Sequence, residues 1–182
     1  MPGRVFAVVG PSGAGKDTLI AAARSARPDL HVVRRVITRP EEAGGEPFEG
    51  VTPGVFAARA AAGDFCLIWA AHGLSYGIPA SARDALAQGR DVVFNGSRAM
   101  LAEARGMFPG LTAILVTAPA AVRAARLAAR GRETASEIAG RLARGRYDVP
   151  PGIPVRRVEN GGRLEEAVAA FLAALAPEGV GR

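Results

Sequence analysis

Seven consecutive residues, Gly10-Pro11-Ser12-Gly13-Ala14-Gly15-Lys16, have the spacing G-x-x-x-x-G-K, and each position in that pattern has a physical task. Glycines let the chain curl so that backbone N–H groups converge on phosphate oxygens. A helix starting at the end of the curl adds the positive end of its dipole, and a lysine ammonium reaches the β- and γ-phosphates. The chain carries 22 arginines and this one lysine. Where guanidinium is used everywhere else, a compact ammonium marks a position that a planar fork does not fill. Asp17 follows, where the full pattern has a Ser or Thr that ligates Mg²⁺. A carboxylate beside a triphosphate is repelled unless a cation lies between them. Asp17 therefore suits either a Mg²⁺ ligand, direct or through water, or an acidic residue in the first turn of a helix. Thr18 offers a hydroxyl one position later, and Gly10 to Thr18 is the expected ATP-binding element.

A second constellation is built of arginine. Arg123, Arg126 and Arg130 fall at i, i+3 and i+7, Arg132 sits in a break after Gly131, and Arg141 and Arg144 share a face of the next helical stretch. Alone, such a run is a solvated basic face. Beside a phosphate-binding loop, two Arg-rich helices joined near Gly131 have the make-up of a lid, spanning about 126–146, that closes over ATP and neutralises charge on the transferring phosphoryl group. Lys16, Arg126, Arg130 and Arg132 are then the expected catalytic cations. Ser12, Ser97 and Cys66 have no recognisable activating partner, which argues against covalent catalysis.

The elements that must position these residues follow from pattern. Arg4 to Val9 reads as a buried parallel strand and Asp17 to Arg24 as a helix, giving a strand, Gly-rich turn, helix unit. Further strands are expected at 32–37, 65–69, 91–95, 111–117 and 155–158. Helices are expected at 53–62, 79–88, 98–107, 119–130 and 163–175. This alternation predicts an α/β fold with a mostly parallel sheet flanked by helices. Residues 38–54 hold three Pro, four Gly and four Glu and read as irregular. Thr134-Ala135-Ser136-Glu137 has capping-box spacing, so a new helix is expected there.

Gly10 to Leu19, Ile37-Thr38-Arg39, Gly63-Asp64-Phe65, His72-Gly73, Tyr76-Gly77 and Arg126-Leu127 with Arg130-Gly131-Arg132 resemble the guanylate kinase superfamily across nearly the whole chain. The resemblance implies one P-loop NTPase kinase domain with an acceptor-binding insertion over about 34–80. It also implies that Arg39 and Tyr76 are acceptor-phosphate ligands. The guanine-reading groups do not match. Leu67 replaces the glutamate of the Gly-Glu-Phe-Leu-Glu stretch, Pro79 replaces a hydroxyl residue, and Glu42 replaces the second acceptor-site arginine. A pocket without those polar groups loses its selectivity for a purine. Trp69 to Pro79, Asn95-Gly96-Ser97-Arg98 and the loop ending Lys16-Asp17-Thr18 are instead similar to the ribose 1,5-bisphosphate phosphokinases of phosphonate catabolism, which also carry Asp after the loop lysine. That family makes 5-phosphoribosyl 1-diphosphate from ribose 1,5-bisphosphate and ATP. The resemblance thus implies Mg²⁺ with ATP as co-substrate, and a sugar site with Arg35, Arg39, His72, Tyr76, Ser97 and Arg98 at the acceptor. The acceptor atom is a phosphate oxygen, ionised at neutral pH, so neither His31 nor His72 is needed as a base.

Composition narrows the alternatives. Of 182 residues 49% are hydrophobic and 22% charged, which excludes intrinsic disorder as the main state. One cysteine allows no internal disulfide and favours a reducing compartment. No apolar run approaches the roughly 20 residues of a membrane span, so a cytoplasmic protein with no membrane partner is expected. The net charge of +6 suits anionic ligands, but only 5% of residues are aromatic, too few stacking platforms to favour nucleic acid as a partner.

Overall fold

The computed structural model describes residues 2–43, 45–131, 133–143 and 147–177. Its central sheet is parallel throughout, in the order β2-β7-β1-β8-β9, with β1 Val5–Val9, β2 His31–Val32, β7 Val92–Asn95, β8 Leu111–Thr117 and β9 Val155–Glu159. The all-apolar β1 is central because both its faces are covered. Val5, Ala7 and Val9 point into one hydrophobic cluster with Phe94, Leu101 and Leu111, while Phe6 and Val8 point into the other with Leu19, Ile114 and Phe171. The alternation is the period of two that a strand imposes. Helices α1 Lys16–Ala26 and α7 Leu164–Ala174 cover the second face. Helices α3 Ser81–Ala87 and α4 Leu101–Met107 lie on the first.

A second sheet, in the order β4-β3-β6-β5, packs over the first cluster. It consists of β3 Val36–Ile37, β4 Glu49–Gly50, β5 Phe65–Ala71 and β6 Leu74–Pro79, with α2 Pro53–Ala61 between β4 and β5. The expected strand at 32–37 is two strands in two sheets: His31 and Val32 pair parallel with β7, whereas Val36 and Ile37 pair antiparallel with β6. Strand β6 was not expected at all. Its Ser, Gly and Pro hide it from a propensity reading, and what makes it a strand is the hairpin to β5 closed by His72 and Gly73, both at positive φ (54° and 73°), as a two-residue primed turn requires. The 98–107 helix is divided into a 3₁₀ turn at Arg98–Met100 and α4.

Helix α5 Ala120–Ala129 stops before Gly131, whose φ of 64° reverses the chain. Helix α6 Ala135–Leu142 then starts on the expected capping box: the Glu137 N–H donates to Thr134 Oγ1 (3.2 Å) and the Thr134 N–H to Glu137 Oε2 (2.7 Å). Among the described residues no helix is long and apolar enough to cross a membrane.

Candidate active site

The phosphate-binding loop occupies the turn from β1 into α1, and its glycines are required by what lies behind them. A Cβ at Gly10 would sit 2.1 Å from the Val116 carbonyl oxygen, and one at Gly15 2.4 Å from Asn160 Nδ2. Lys16 curls back over the loop and donates to the carbonyls of Gly10 (2.9 Å) and Pro11 (3.3 Å). Burial is the main reason its pKa falls to about 8; the Asp17 carboxylate opposes the fall, and the Arg35 and Arg130 cations add to it.

Arg126 has a different place from the one its sequence position suggested. It grips the carbonyl side of the loop from outside the cavity: Nη1 donates to the Gly13 and Ala14 carbonyls (3.3 Å each) and Nη2 to the Asn160 carbonyl (2.7 Å). Asn160, almost fully buried just after β9, donates through Nδ2 to the same Ala14 carbonyl at 2.8 Å. A backbone that turns its N–H groups toward phosphate turns its carbonyls away, and those carbonyls need donors. Arg123 is likewise not a solvated cation; it is buried, with Nε on the Ala118 carbonyl.

On the N–H side lies a cavity of about 600 Å³. Lys16 and Asp17 line it from α1, Trp69, His72 and Tyr76 from the hairpin of the second sheet, Ser97 and Arg98 from the turn after β7, and Arg130 and Arg141 from α5 and α6. Asp17 is the one carboxylate among these lining residues, against five cations counting Arg35, so the lining carries a surplus of positive charge. Asp17 Oδ1 accepts a hydrogen bond from Asn95 Nδ2 at 2.7 Å, which orients the carboxylate. Ser97 Oγ is buried with no hydrogen-bond partner among the described residues. The Trp69 and Tyr76 rings stack 5.2 Å apart at 7°, and the Arg35 guanidinium lies 5.7 Å and 5.1 Å from their centroids. Arg98 sits 5.6 Å from the ring of Tyr147.

The structure thus brings together Lys16, Asp17, Arg35, His72, Tyr76, Ser97, Arg98 and Arg130, along with Gly10, Pro11, Ser12, Gly13 and Gly15 of the loop. Ala14 is buried behind the loop and Thr18 faces solvent. Arg39 does not line the cavity; its guanidinium lies 4.3 Å over the Phe48 ring. Arg132 and Arg144 lie outside the described residues. Asn95, Asn160, Tyr147 and Glu46 received no role from the sequence. Asn160 had one usable signal, its position two residues after the predicted strand 155–158, at the same end of the sheet as the loop.

No protein-family model matches the chain. A bifunctional ribose 1,5-bisphosphokinase-thymidine phosphorylase from Cupriavidus necator is 49% identical over 174 residues, 95% of this chain and 29% of that protein's length. A ribose 1,5-bisphosphate phosphokinase PhnN from Rhizobium etli is 51% identical over 176 residues, covering 95% of this chain and 89% of the relative. One from Pseudomonas paraeruginosa is 46% identical, with 95% of both chains covered. Among solved structures, a guanylate kinase from Anaplasma phagocytophilum superposes with a TM-score of 0.63 at 17% identity, over 96% of this chain and 85% of that one. A gluconokinase from Sinorhizobium meliloti superposes at 0.56 over 96% of this chain and 91% of that one. These likenesses establish the P-loop kinase fold.

Proposed function

This chain belongs to the ribose 1,5-bisphosphate phosphokinase family, and we propose that it transfers the γ-phosphoryl group of ATP to ribose 1,5-bisphosphate, giving 5-phosphoribosyl 1-diphosphate and ADP. The observation that carries the reading is the cavity itself, which sets five cations against one carboxylate between the phosphate-binding loop and the second sheet. An acceptor with two phosphates needs such a surplus, and a purine would find Leu67 buried in the core and Pro79 without a donor.

The attacking atom is an oxygen of the acceptor's 1-phosphate. It forms the new P–O bond in line with the bond to ADP that breaks, and carries no proton that must be removed. Catalysis is therefore alignment and charge neutralisation. Lys16 leaves the carbonyls of Gly10 and Pro11 for the β- and γ-phosphates, loop N–H groups hold the oxygens, and Arg130 and Arg141, carried by a lid formed from α5 and α6, approach the transferring group. Arg35, Tyr76, Ser97 and Arg98 hold the acceptor.

Among the described residues no group of three or more His, Cys, Asp or Glu could cage a metal. Mg²⁺ as a partner of ATP needs no cage, because phosphates and water supply most of its oxygens. The Asp17 carboxylate, oriented by Asn95, fits that shell, and bound Mg²⁺ would supply charge neutralisation for the phosphates of ATP. Asp17→Asn is expected to raise the Mg²⁺ concentration at half-maximal rate while leaving the acceptor KM unchanged; an unaltered metal response would reduce Asp17 to a helix-end acid.

The deciding experiment supplies Mg-ATP with ribose 1,5-bisphosphate, GMP, AMP or no acceptor and follows ADP release. Strong preference for the bisphosphate is expected, and GMP as the better acceptor would overturn the assignment. Since a charge-assisted hydrogen bond is worth about 1.5–3 kcal/mol, Arg98→Ala should cost on the order of 10- to 100-fold in kcat/KM for the bisphosphate. The cost should be much smaller for an acceptor lacking one phosphate. A cytoplasmic location goes with this reading, because ATP and a sugar bisphosphate are both charged intracellular metabolites.

A further inference from the structure

Arg35 is 7% exposed, yet it lines the cavity, and the residue that makes this possible is one to which neither sequence pattern nor mechanism assigned a task. Glu46, from the irregular segment before β4, meets Arg35 along one edge of the guanidinium: Nε donates to Oε2 at 3.1 Å and Nη2 pairs with Oε1. The guanidinium also lies over the stacked pair of Trp69 and Tyr76 rings, 5.7 Å and 5.1 Å from their centroids. One edge and one face are thus fixed, and the remaining terminal nitrogen, Nη1, has no hydrogen-bond partner among the described residues. Glu46 itself does not line this cavity; it lines a separate groove between α1 and β2. Asp17 and Asn95 line both spaces and the ion pair stands between them, with the cation toward the acceptor cavity and the anion toward the groove.

We infer that Glu46 is a positioning residue for the acceptor, acting through Arg35 by holding its guanidinium against Trp69 and Tyr76 so that the free edge meets a phosphate of the sugar bisphosphate. A long arginine side chain ordinarily loses rotamer freedom when it binds, and here that ordering is done before the ligand arrives. A carboxylate placed at the back of the fork does this without entering the site, and a bidentate pair fixes orientation as well as distance. Burial draws the Arg35 pKa down only to about 10, so the group remains a cation at neutral pH.

This inference rests on the proposed acceptor, and the test separates the two. Wild-type protein is first titrated with ribose 1,5-bisphosphate without ATP. Trp69 is the one tryptophan of the chain and lies beneath Arg35, so its emission should change on binding. Wild type that neither responds nor releases ADP with this acceptor overturns the acceptor assignment. With a responding wild type, Glu46→Gln should move the titration midpoint and the acceptor KM up about tenfold, with the ATP KM within twofold of wild type. Arg35→Lys should do the same, and Glu46→Gln combined with Arg35→Lys should be no worse than Arg35→Lys alone. Glu46→Asp, which keeps the charge, should recover part of the loss; it also carries the test if Glu46→Gln does not fold. An unchanged midpoint in both Glu46 variants, a lowered midpoint that would make Glu46 a competitor of the acceptor, or additive losses in the double variant would each overturn the positioning role.

Discussion

Lys16→Ala is expected to fold and to lose on the order of 10²- to 10³-fold in kcat, because the ammonium acts on charge that develops as the γ-phosphoryl group leaves. Lys16→Arg should fail as well. Its fork is bulkier and differently aimed, and the two carbonyls that Lys16 contacts, of Gly10 and Pro11, are set for a point donor. The same lysine gives wild type a proton signature. In the free protein its pKa is held near 8 by burial; the phosphates of bound ATP favour the charged form and raise it. Binding of ATP should therefore take up a proton between about pH 8 and the higher pKa of the complex, and apparent ATP affinity should fall as pH rises through 8. Below pH 7 the ammonium is already formed and no uptake is expected. Calorimetry in two buffers of different ionisation enthalpy measures the uptake, steady-state ADP release measures the rate, and thermal unfolding checks the fold. Near wild-type turnover in both variants would remove Lys16 from the mechanism.

Arg126→Ala should damage ATP binding rather than the chemical step. Removing the guanidinium strips a donor from three backbone carbonyls, of Gly13, Ala14 and Asn160, and hydrogen bonds to a charged group are worth about 1.5–3 kcal/mol each. The loop relaxes, so the expected loss is smaller than their sum: a rise in ATP KM on the order of 10²-fold, with a lowered thermal midpoint. Arg126→Lys keeps the charge but not the fork, and should recover at most about tenfold of this. If Arg126 instead reached the transferring phosphoryl group, as its helical spacing with Arg130 suggested, kcat would fall while the ATP KM stayed put. Measuring both constants for both variants decides between these roles.

The contrast between Arg126 and Arg130 shows where a sequence is legible and where it is not. Helical periodicity put them on one stretch, as α5 and its C-cap show, beside a loop motif that implied phosphate nearby. Which arginine faces the ligand depends on how α5 crosses the loop, a tertiary fact with no local trace. Strand β8 was readable to the residue because an apolar run buried on both faces leaves no other option. Strand β6 was not, because Ser75, Gly77 and Pro79 are held in place by pairing with β5 rather than by their own preferences. At the acceptor, Tyr76 and Arg35 were visible as residue types, whereas the Trp69–Tyr76 stack joins two strands across a hairpin and the hold of Glu46 on Arg35 joins positions eleven residues apart.

The phosphate-binding loop holds the one side-chain amine of the entire chain, and its pKa near 8 leaves a substantial neutral, nucleophilic fraction at mildly alkaline pH. To an amine-directed acylating reagent the side chains of the rest of the surface, furnished with arginine, offer no target, which leaves the chain's α-amino group as the competing amine. A reagent used elsewhere to decorate proteins at random becomes, among side chains, a label of the G-x-x-x-x-G-K loop here. It would add a single side-chain adduct per chain, and bound nucleotide would protect against it. Stoichiometric attachment of a dye or a resin through lysine, routine for other enzymes, would therefore silence this one.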